Sequence, residues 1–345
     1  MKNSVIYVDE KSDIPLMGID YLGVIDRGTN IIEVKPLTLC NLRCKYCFVS
    51  AGDYDTDFIL SHSYLMEQIK EIIAIKGNYN IEIHFSPYGE ILLYSELFNL
   101  LSKLRKIEGI ETISIQSNGL LLNNKIIQQF KIEKHCRINI SLNTLEADKA
   151  RYLCASSNYN LEALLKNIYR LLNANIDVLI APVWFPGEND EDIENIIQFI
   201  LDLRKGGYSE KQLQIGIQKY LTYKTGRKLK KIRPKTWKYF YFQLTQLEKK
   251  YNIKLKLGPA DFNIHKRKSF TAPYLKKNMV INVTIVSRGR WERECIGKIN
   301  EKLGIKILMK KPFKFTPKLI GKKIMVKVIK ANYRDNIITA SFPSD

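Results

Sequence analysis

Short apolar runs alternate with amphipathic segments between residues 30 and 220. The apolar runs predict strands over Ile31–Leu39, Ile81–Phe85, Thr112–Gln116, Ile138–Leu142, Val178–Trp184 and Leu213–Lys219. The segments between them carry apolar residues at three- and four-residue spacing, which is the periodicity of a helix with one buried face. These segments predict helices over Tyr64–Ile75, Glu96–Ile107, Leu161–Asn173 and Asp190–Arg204. Six strand–helix units in succession indicate an α/β fold with a parallel sheet.

The pattern changes after Tyr220. A basic stretch, Lys224–Lys238, leads into a predicted helix over Trp237–Tyr251. Farther along, Val280–Val286 and Ile324–Ile329 alternate as β-strands do, with Gly and Asn at the turns, which favours a small β-barrel. We therefore divide the chain into an N-terminal extension (1–29), an α/β region (30–225), a basic helical connector (226–274) and a C-terminal β-barrel (275–345).

Composition favours a globular protein of more than one core. The 345 residues are 45% hydrophobic and 26% charged, and no apolar run approaches the ~18 residues of a membrane span. Asp9 and Glu10 follow the first residues closely, so neither a secretory signal nor an Arg-rich transit pattern is expected. We expect an intracellular, cytoplasmic protein with no membrane contact.

Charge is distributed unevenly. Residues 1–210 carry 21 Lys and Arg against 28 Asp and Glu, whereas residues 211–345 carry 34 against 7. An excess of this size repels itself unless a polyanion is bound, and RNA or DNA is the commonest such partner inside cells. A Lys-rich surface of the thermophile type is the alternative.

Three of the six cysteines form a cluster. Cys40, Cys44 and Cys47 have the spacing C-x3-C-x2-C and directly follow the first predicted strand. Three thiolates can hold three irons of a [4Fe-4S] cluster and leave the fourth iron open. A structural zinc site needs four ligands, and only His62 and His84 are candidates for the fourth.

The cysteine loop, with Tyr46 before its last cysteine and Phe48 after it, resembles that of the radical S-adenosylmethionine (SAM) superfamily. The resemblance implies a partial (β/α)6 barrel in which Cys40, Cys44 and Cys47 bind the cluster and Tyr46 belongs to the cofactor-binding site. It also implies that SAM chelates the open iron and is cleaved reductively to a 5′-deoxyadenosyl radical, which requires an electron donor. The cofactor supplies this chemistry, and the barrel positions and shields the radical.

Tyr88-Gly89-Glu90, after the second predicted strand, is similar to the family's Gly-Gly-Glu motif. The resemblance implies that Glu90 accepts the amino group of SAM and that Gly89 shapes the loop. Tyr88 stands where the family has a glycine, and Ile91 where it has a proline. The loop is therefore expected to differ in shape.

Three later turns resemble family motifs at strand ends, where barrel sites form. Ser117-Asn118-Gly119 is similar to a Thr-Asn-Gly turn, although an ordinary Asn-Gly turn is the alternative. Ser141-Leu-Asn143 is similar to Ser-Leu-Asp, whose polar groups reach the SAM ribose or carboxylate. Pro186 and Gly187 lie in a segment that resembles the adenine-contacting loop, and Asp190 is expected to cap the following helix.

The C-terminal stretch, residues 278–342, resembles a TRAM domain, an OB-like barrel of RNA-modifying enzymes. Such barrels bind nucleic acid through basic grooves with exposed aromatic residues. The candidate contacts are Arg288, Arg290, Arg293, Lys322, Lys323 and Arg334. Trp291 and Tyr333 are either stacking or core residues.

The combined pattern predicts a radical SAM enzyme that modifies RNA, most plausibly tRNA. A radical SAM enzyme acting on a peptide or small metabolite is one alternative, and a non-catalytic RNA-binding protein with a structural metal is another. No cysteine precedes Cys40, so a second cluster is unsupported. Cys136, Cys154 and Cys295 are either buried apolar residues or carriers of a substrate adduct. His135, His265 and the oligomeric state stay unassigned.

Overall fold

The computed structural model describes residues 4–133, 135–331 and 334–343. Its strands bury apolar side chains on one or both faces of the sheets. They are β1 (Ser4–Val8), β2 (Gly23–Asp26), β3 (Ile31–Lys35), β4 (Thr56–Leu60), β5 (Ile81–Phe85), β6 (Ile110–Ser117), β7 (Cys136–Ile140), β8 (Asp177–Ile180), β9 (Val183–Trp184), β10 (Leu213–Ile215), β11 (Gln218–Lys219), β12 (Val280–Arg288), β13 (Glu294–Asn300), β14 (Leu303–Met309), β15 (Lys323–Ala331) and β16 (Ile338–Phe342).

The helices bury one apolar face each and several begin at a polar side chain. They are α1 (His62–Lys76), α2 (Leu97–Leu104), α3 (Asn124–Ile132), α4 (Ala147–Cys154), α5 (Leu161–Asn173), α6 (Asp190–Lys205) and α7 (Trp237–Tyr251), with 3-10 turns at Ile91–Leu93, Pro259–Phe262 and Pro317–Leu319. Ser61, Asn123, Asn160 and Thr236 accept a hydrogen bond from the third residue beyond them. Such caps satisfy amide groups that the first helical turn leaves unpaired.

The described chain divides into two compact units. Unit 1 comprises Met1–Leu39, Asp53–Glu111 and His265–Asp345. Unit 2 comprises Cys40–Gly52 and Thr112–Ile264. Each unit is described by itself below.

Unit 2 holds a parallel sheet in the order β10-β8-β7-β6 and a two-stranded parallel pair, β9 and β11. Helices α3 to α6 connect these strands, as parallel neighbours require. The predicted strand Val178–Trp184 is interrupted between β8 and β9 at Pro182, which has no amide hydrogen for the ladder.

Unit 1 contains a parallel pair, β3 and β5, with β2 antiparallel to β3. Its β3 is shorter than the predicted Ile31–Leu39 because Pro36 cannot donate to the sheet. All six predicted strand–helix units nonetheless contain a strand, and the α/β class is confirmed.

Unit 1 also contains the predicted C-terminal β-barrel, which closes in the order β12-β13-β14-β16-β15. The N-terminal segment packs on it. The amide of Gly304 donates to Met17, and that of Ile338 donates to Gly18. A Cβ atom at Gly18 would lie 2.0 Å from the Gly304 carbonyl oxygen, so this approach requires glycine. The barrel is confirmed; its assignment as a TRAM domain stays a prediction.

Candidate active site

The cysteine loop lies in unit 2 and is held by short turns. The amide of Cys47 donates to the Cys44 carbonyl at 3.1 Å, and that of Ser50 donates to the Cys47 carbonyl at 3.2 Å. Cys40, Cys44 and Cys47 are partly buried, and none of the three is in a disulfide within the described residues. The loop thus carries three cysteine sulfur atoms on a folded backbone.

Arg227 fixes this backbone from the basic connector. Its guanidinium donates to the carbonyls of Cys44 and Ala51, each at 2.7 Å. Its amide donates to the Cys47 carbonyl at 2.8 Å. The neighbouring Gly226 packs so closely that a Cβ atom there would lie 2.3 Å from the Phe48 carbonyl oxygen. The connector and the cysteine loop therefore form one structural element.

The Cys44 thiol contacts a fourth cysteine, Cys154 of α4. This hydrogen bond, followed by burial, raises the pKa of Cys44 well above its usual value. Burial likewise raises the pKa of Cys47, and the Val49 and Ala51 amides and Arg227 partly oppose this effect. Within the described residues, no three His, Cys, Asp or Glu side chains converge on one metal position.

The donor chemistry of the loop fits an iron–sulfur cluster. Iron–sulfur clusters are bound by soft thiolate ligands. The loop provides three cysteines in one eight-residue segment, and Arg227 holds the backbone of that segment. The histidines considered for a zinc site have other roles or positions. His62 contacts Glu96 at 3.0 Å in unit 1, and His84 lies on β5.

Tyr46 of the cysteine loop forms a hydrogen bond with Asn143. The Asn143 amide donates to the Tyr46 hydroxyl at 2.6 Å and accepts from the Val183 amide at 2.7 Å. The Tyr46 ring packs 4.9 Å from Phe185. Asn143 is 5% exposed. These two predicted cofactor-binding residues hold the loop to the end of β9 in this structure.

The other polar turn residues of unit 2 also lie at strand ends. Asn118 donates to Asn41 of the cysteine loop at 2.8 Å, while Ser117 accepts from the Gly119 amide at 2.9 Å. Ser141 accepts from Gln116 at 3.0 Å. The predicted turn therefore contacts the cysteine loop through Asn118.

The loop that contains Pro186 and Gly187 is organised by Asp190. Its carboxylate accepts from the Gly187 amide and from the Trp184 indole, both at 2.6 Å. The expected capping role of Asp190 is wrong, because Asn189 occupies the N-cap and Asp190 is the first helical residue. The Asp190 side chain shapes the loop instead of capping α6.

Gly89 and Glu90 lie in unit 1. The Glu90 amide donates to the Leu39 carbonyl at 2.7 Å, and its buried carboxylate accepts from the Leu92 amide at 3.1 Å. A Cβ atom at Gly89 would lie 2.1 Å from the Leu39 oxygen. Glycine is therefore required there by close backbone approach. Tyr88, which stands where the motif that this loop resembles has a glycine, has its ring centre 4.7 Å from the Lys35 ammonium.

Arg290, predicted to contact nucleic acid, is buried in unit 1. It pairs with Glu294 at 3.2 Å, with side-chain exposures of 6% and 3%. Its guanidinium lies 4.1, 5.1 and 5.7 Å from the ring centres of Tyr21, Tyr54 and Tyr88. The prediction of a phosphate contact at Arg290 is wrong, because the side chain is almost fully buried and its guanidinium is paired with Glu294.

The remaining barrel cations differ in exposure. Lys322, Lys323 and Arg334 are exposed, whereas Arg288 and Arg293 are partly buried. Trp291 packs edge-on against Tyr54, with ring centres 5.2 Å apart, and Tyr333 lies outside the described residues. The exposed cations remain candidates for phosphate contact.

The isolated cysteines are buried. Burial raises the pKa of Cys295 to about 12, so its thiol stays protonated near neutral pH. Cys136 begins β7, and Cys154 contacts Cys44 as described. These environments favour the interpretation as small buried residues over that of adduct carriers.

Sequence reasoning missed Arg227, Asn189 and the Cys44–Cys154 contact. Arg227 is one of eight Lys and Arg within residues 224–238, and nothing in that run distinguishes it. Asn189 accepts from the Phe185 amide at 2.6 Å and donates to the Val183 carbonyl at 3.0 Å. Such roles depend on long-range backbone positions that residue spacing does not encode.

Comparison with known proteins gives one family. The Radical SAM superfamily model matches residues 34–200. Uncharacterized protein MJ0103 of Methanocaldococcus jannaschii is 33% identical over 98% of this chain and 81% of MJ0103. GTP 3′,8-cyclase of Aquifex aeolicus is 26% identical over 53% of this chain and 56% of the cyclase.

Among solved structures, Streptococcus suis SuiB bound to S-adenosylmethionine matches with a TM-score of 0.50 and 17% identity. The match covers 66% of this chain and 49% of SuiB. The chain thus spans about half the length of the cyclase and of SuiB. At this identity the likeness to SuiB concerns the fold alone.

The fold and the three-thiol loop define an α/β protein of the iron–sulfur class. The chain belongs to the radical SAM superfamily. The predicted family and its cofactors, a [4Fe-4S] cluster and SAM, are confirmed. None of the helices in the described parts of the chain has the length and apolar character needed to cross a membrane.

Proposed function

We propose that this chain is a radical SAM enzyme that acts on RNA, with Cys40, Cys44 and Cys47 as the cluster ligands. The observation that carries the proposal is the loop with three cysteines in the spacing C-x3-C-x2-C, whose backbone Arg227 holds. Cys40, Cys44 and Cys47 would hold the cluster, which together with SAM and a low-potential electron donor would supply radical chemistry for hydrogen abstraction from the substrate. Free thiols are stable in a reducing compartment, so we place the enzyme in the cytoplasm.

The protein's own contribution is to bind and orient SAM. Glu90 is 2% exposed, and a buried carboxylate is a strong acceptor for the amino group of SAM. Gly89 keeps the backbone close to Leu39. In unit 2, we assign Ser117, Asn118 and Ser141 to the SAM site, and Pro186 and Gly187 to the adenine. Asn143 and Tyr46 position the cysteine loop.

An RNA substrate, with tRNA as the proposed class, is supported by charge. Residues 211–345 have a net charge of +27, and Lys322, Lys323 and Arg334 are exposed on unit 1. Neutralised phosphates release counterions, so binding should weaken with salt, with a slope of log K on log salt of roughly −0.7 to −0.9 per contact. Changing Lys322 and Lys323 to Gln should reduce that slope by roughly 1 to 2 units. Filter binding of tRNA over a salt series tests this expectation, and an unchanged slope would contradict it.

A free purine nucleotide is a second candidate substrate, favoured by the match to GTP 3′,8-cyclase. Nucleotide mass spectrometry separates the two. Deletion of the gene removes a modified nucleoside from purified tRNA or rRNA if RNA is the substrate. It leaves every RNA nucleoside unchanged if the substrate is a free nucleotide.

The radical chemistry is tested with anaerobically reconstituted protein. It should hold about four iron and four sulfide ions and release 5′-deoxyadenosine from SAM on reduction. Cys40→Ala should abolish cluster binding and SAM cleavage. Cys136→Ala is the matched control, because this buried cysteine lies on β7 outside the loop. A Cys40→Ala protein that retains the cluster and cleaves SAM would refute the assignment.

A further inference from the structure

Helix α7 of unit 2 exposes four aromatic side chains within six residues. Trp237, Tyr239, Tyr241 and Phe242 are 53%, 41%, 47% and 57% exposed. A helix packed on a core normally hides such side chains, and a cluster of exposed aromatic surface marks a binding site. We call these four residues the aromatic platform.

Three rings of the aromatic platform, those of Trp237, Tyr239 and Tyr241, are held by contacts with other aromatic rings. Trp237 and Tyr241, one helical turn apart, stack with centres 5.8 Å apart and planes 25° apart. Tyr239 stacks on Trp184 at 6.0 Å and 10°. Phe240 is 3% exposed and packs 5.9 Å from both tryptophans. The platform therefore presents flat ring faces on a buried anchor.

The surroundings of the platform are strongly cationic. Residues 224–238 contain eight Lys and Arg and no Asp or Glu. All eight except Arg227 are exposed. Lys219 lies 5.1 Å from the ring centre of Trp237, and Lys235 lies 5.6 Å from that of Tyr239. Aromatic rings with Lys and Arg side chains between them are complementary to a partner that has both π-systems and negative charge.

The platform is continuous with the loop after β9. Trp184 and Pro186 share a crevice with Lys219, Lys235 and Phe240. Pro186 belongs to the loop that we assign to the adenine of SAM. A partner lying on the platform would therefore extend toward the proposed cofactor site of unit 2.

We propose that the aromatic platform stacks bases of single-stranded RNA while the flanking lysines and arginines contact its phosphates. Unpaired bases offer free faces to aromatic rings, whereas a duplex keeps its bases enclosed. An acidic peptide would satisfy the cations and leave the ring faces unmatched. This inference rests on the proposed RNA substrate and assigns the surface that recognises it.

The test compares Trp237→Ala with Tyr274→Ala in the full-length protein. Tyr274 is a matched control, because it is 65% exposed and has Lys276 at 5.0 Å from its ring centre. Stacking of one base corresponds to roughly 5- to 150-fold in affinity. We expect Trp237→Ala to weaken binding of an unstructured RNA oligonucleotide within that range. Trp237→Phe should restore most of the affinity, and Tyr274→Ala should leave it unchanged.

The salt dependence separates stacking from charge. The slope of log K on log salt should be equal in wild type and Trp237→Ala, and smaller in Lys235→Gln. If wild type and Trp237→Ala bind the RNA oligonucleotide with equal affinity, the proposed stacking on the aromatic platform is refuted, whereas the proposed RNA substrate is not. No binding of any RNA by the wild type would instead refute the proposed RNA substrate. Trp237-dependent binding of an acidic peptide, or of an RNA duplex in preference to the single strand, would also overturn the inference.

Discussion

The buried ion pair of Arg290 and Glu294 gives the sharpest prediction for unit 1. Burial alone would lower the pKa of Arg290, but the Glu294 carboxylate raises it above its usual value. The carboxylate also accepts from the Arg290 amide at 3.0 Å. Removing the guanidinium leaves a charge that is 3% exposed without its counterion. Loss of one partner of such a pair costs about 3–5 kcal/mol.

We therefore expect Arg290→Met to lower the free energy of unfolding by about 3–5 kcal/mol, since methionine retains most of the packing. The double variant Arg290→Met/Glu294→Gln should recover at least ~2 kcal/mol, because it removes the isolated charge and keeps an acceptor for the amide. Urea denaturation followed by circular dichroism measures both. Lys322→Met, an exposed change near the same barrel, is the control and should stay within ~0.5 kcal/mol.

Two results would refute the reasoning about Arg290. A loss below ~1 kcal/mol in the single variant would mean that water reaches Glu294 after the change. A double variant no more stable than the single would mean that the loss comes from the contacts with Tyr21, Tyr54 and Tyr88. In that case the cation–π contacts, at about 0.5–2 kcal/mol each, would be the larger contribution.

Two further predictions concern Glu90 and Glu33. Glu90→Ala should weaken SAM binding about tenfold or more, because a hydrogen bond to a charged group contributes roughly 1.5–3 kcal/mol; calorimetric titration measures it, and unchanged affinity would remove Glu90 from the site. The cations Lys35 and Arg27 outweigh burial and lower the pKa of Glu33 to about 2. The resulting stability, on the order of 3 kcal/mol, is present above pH 4.5, the ordinary pKa, and is lost as the pH falls toward 2. Acid titration of unfolding in wild type and Glu33→Gln checks this, and identical profiles would contradict it.

Local pattern predicted the elements of the fold well. Ile81–Phe85, Leu161–Asn173 and Trp237–Tyr251 form with the predicted bounds, because each combines a clear period with polar ends. The N-terminal strands were not predicted. β1 pairs in parallel with β4, a strand more than forty residues later, and such pairing leaves no local signal beyond an apolar run.

The candidate site was predictable where spacing carries the chemistry. Three cysteines in the spacing C-x3-C-x2-C indicate a cluster whatever residues surround them. The role of Asn143, in contrast, depends on the residues that lie next to it in the fold. Its amide binds Tyr46 and the Val183 backbone, so the residue positions the loop, and its expected contact with SAM stays a prediction. A short polar side chain at a strand end can bind a cofactor or hold a neighbouring loop. The register of the surrounding strands determines which groups it can reach.

The roles of positively charged residues are also difficult to predict from the sequence alone. Arg227 and Arg290 both come from the basic part of the sequence, and composition treats them alike as surface charges. In the structure, Arg227 ties the cysteine loop through three backbone carbonyls, and Arg290 neutralises a buried carboxylate. The net charge therefore overestimates the number of cationic side chains that a polyanion can contact. It is the exposed subset, concentrated around α7 and at Lys322, Lys323 and Arg334, that a phosphate backbone can reach.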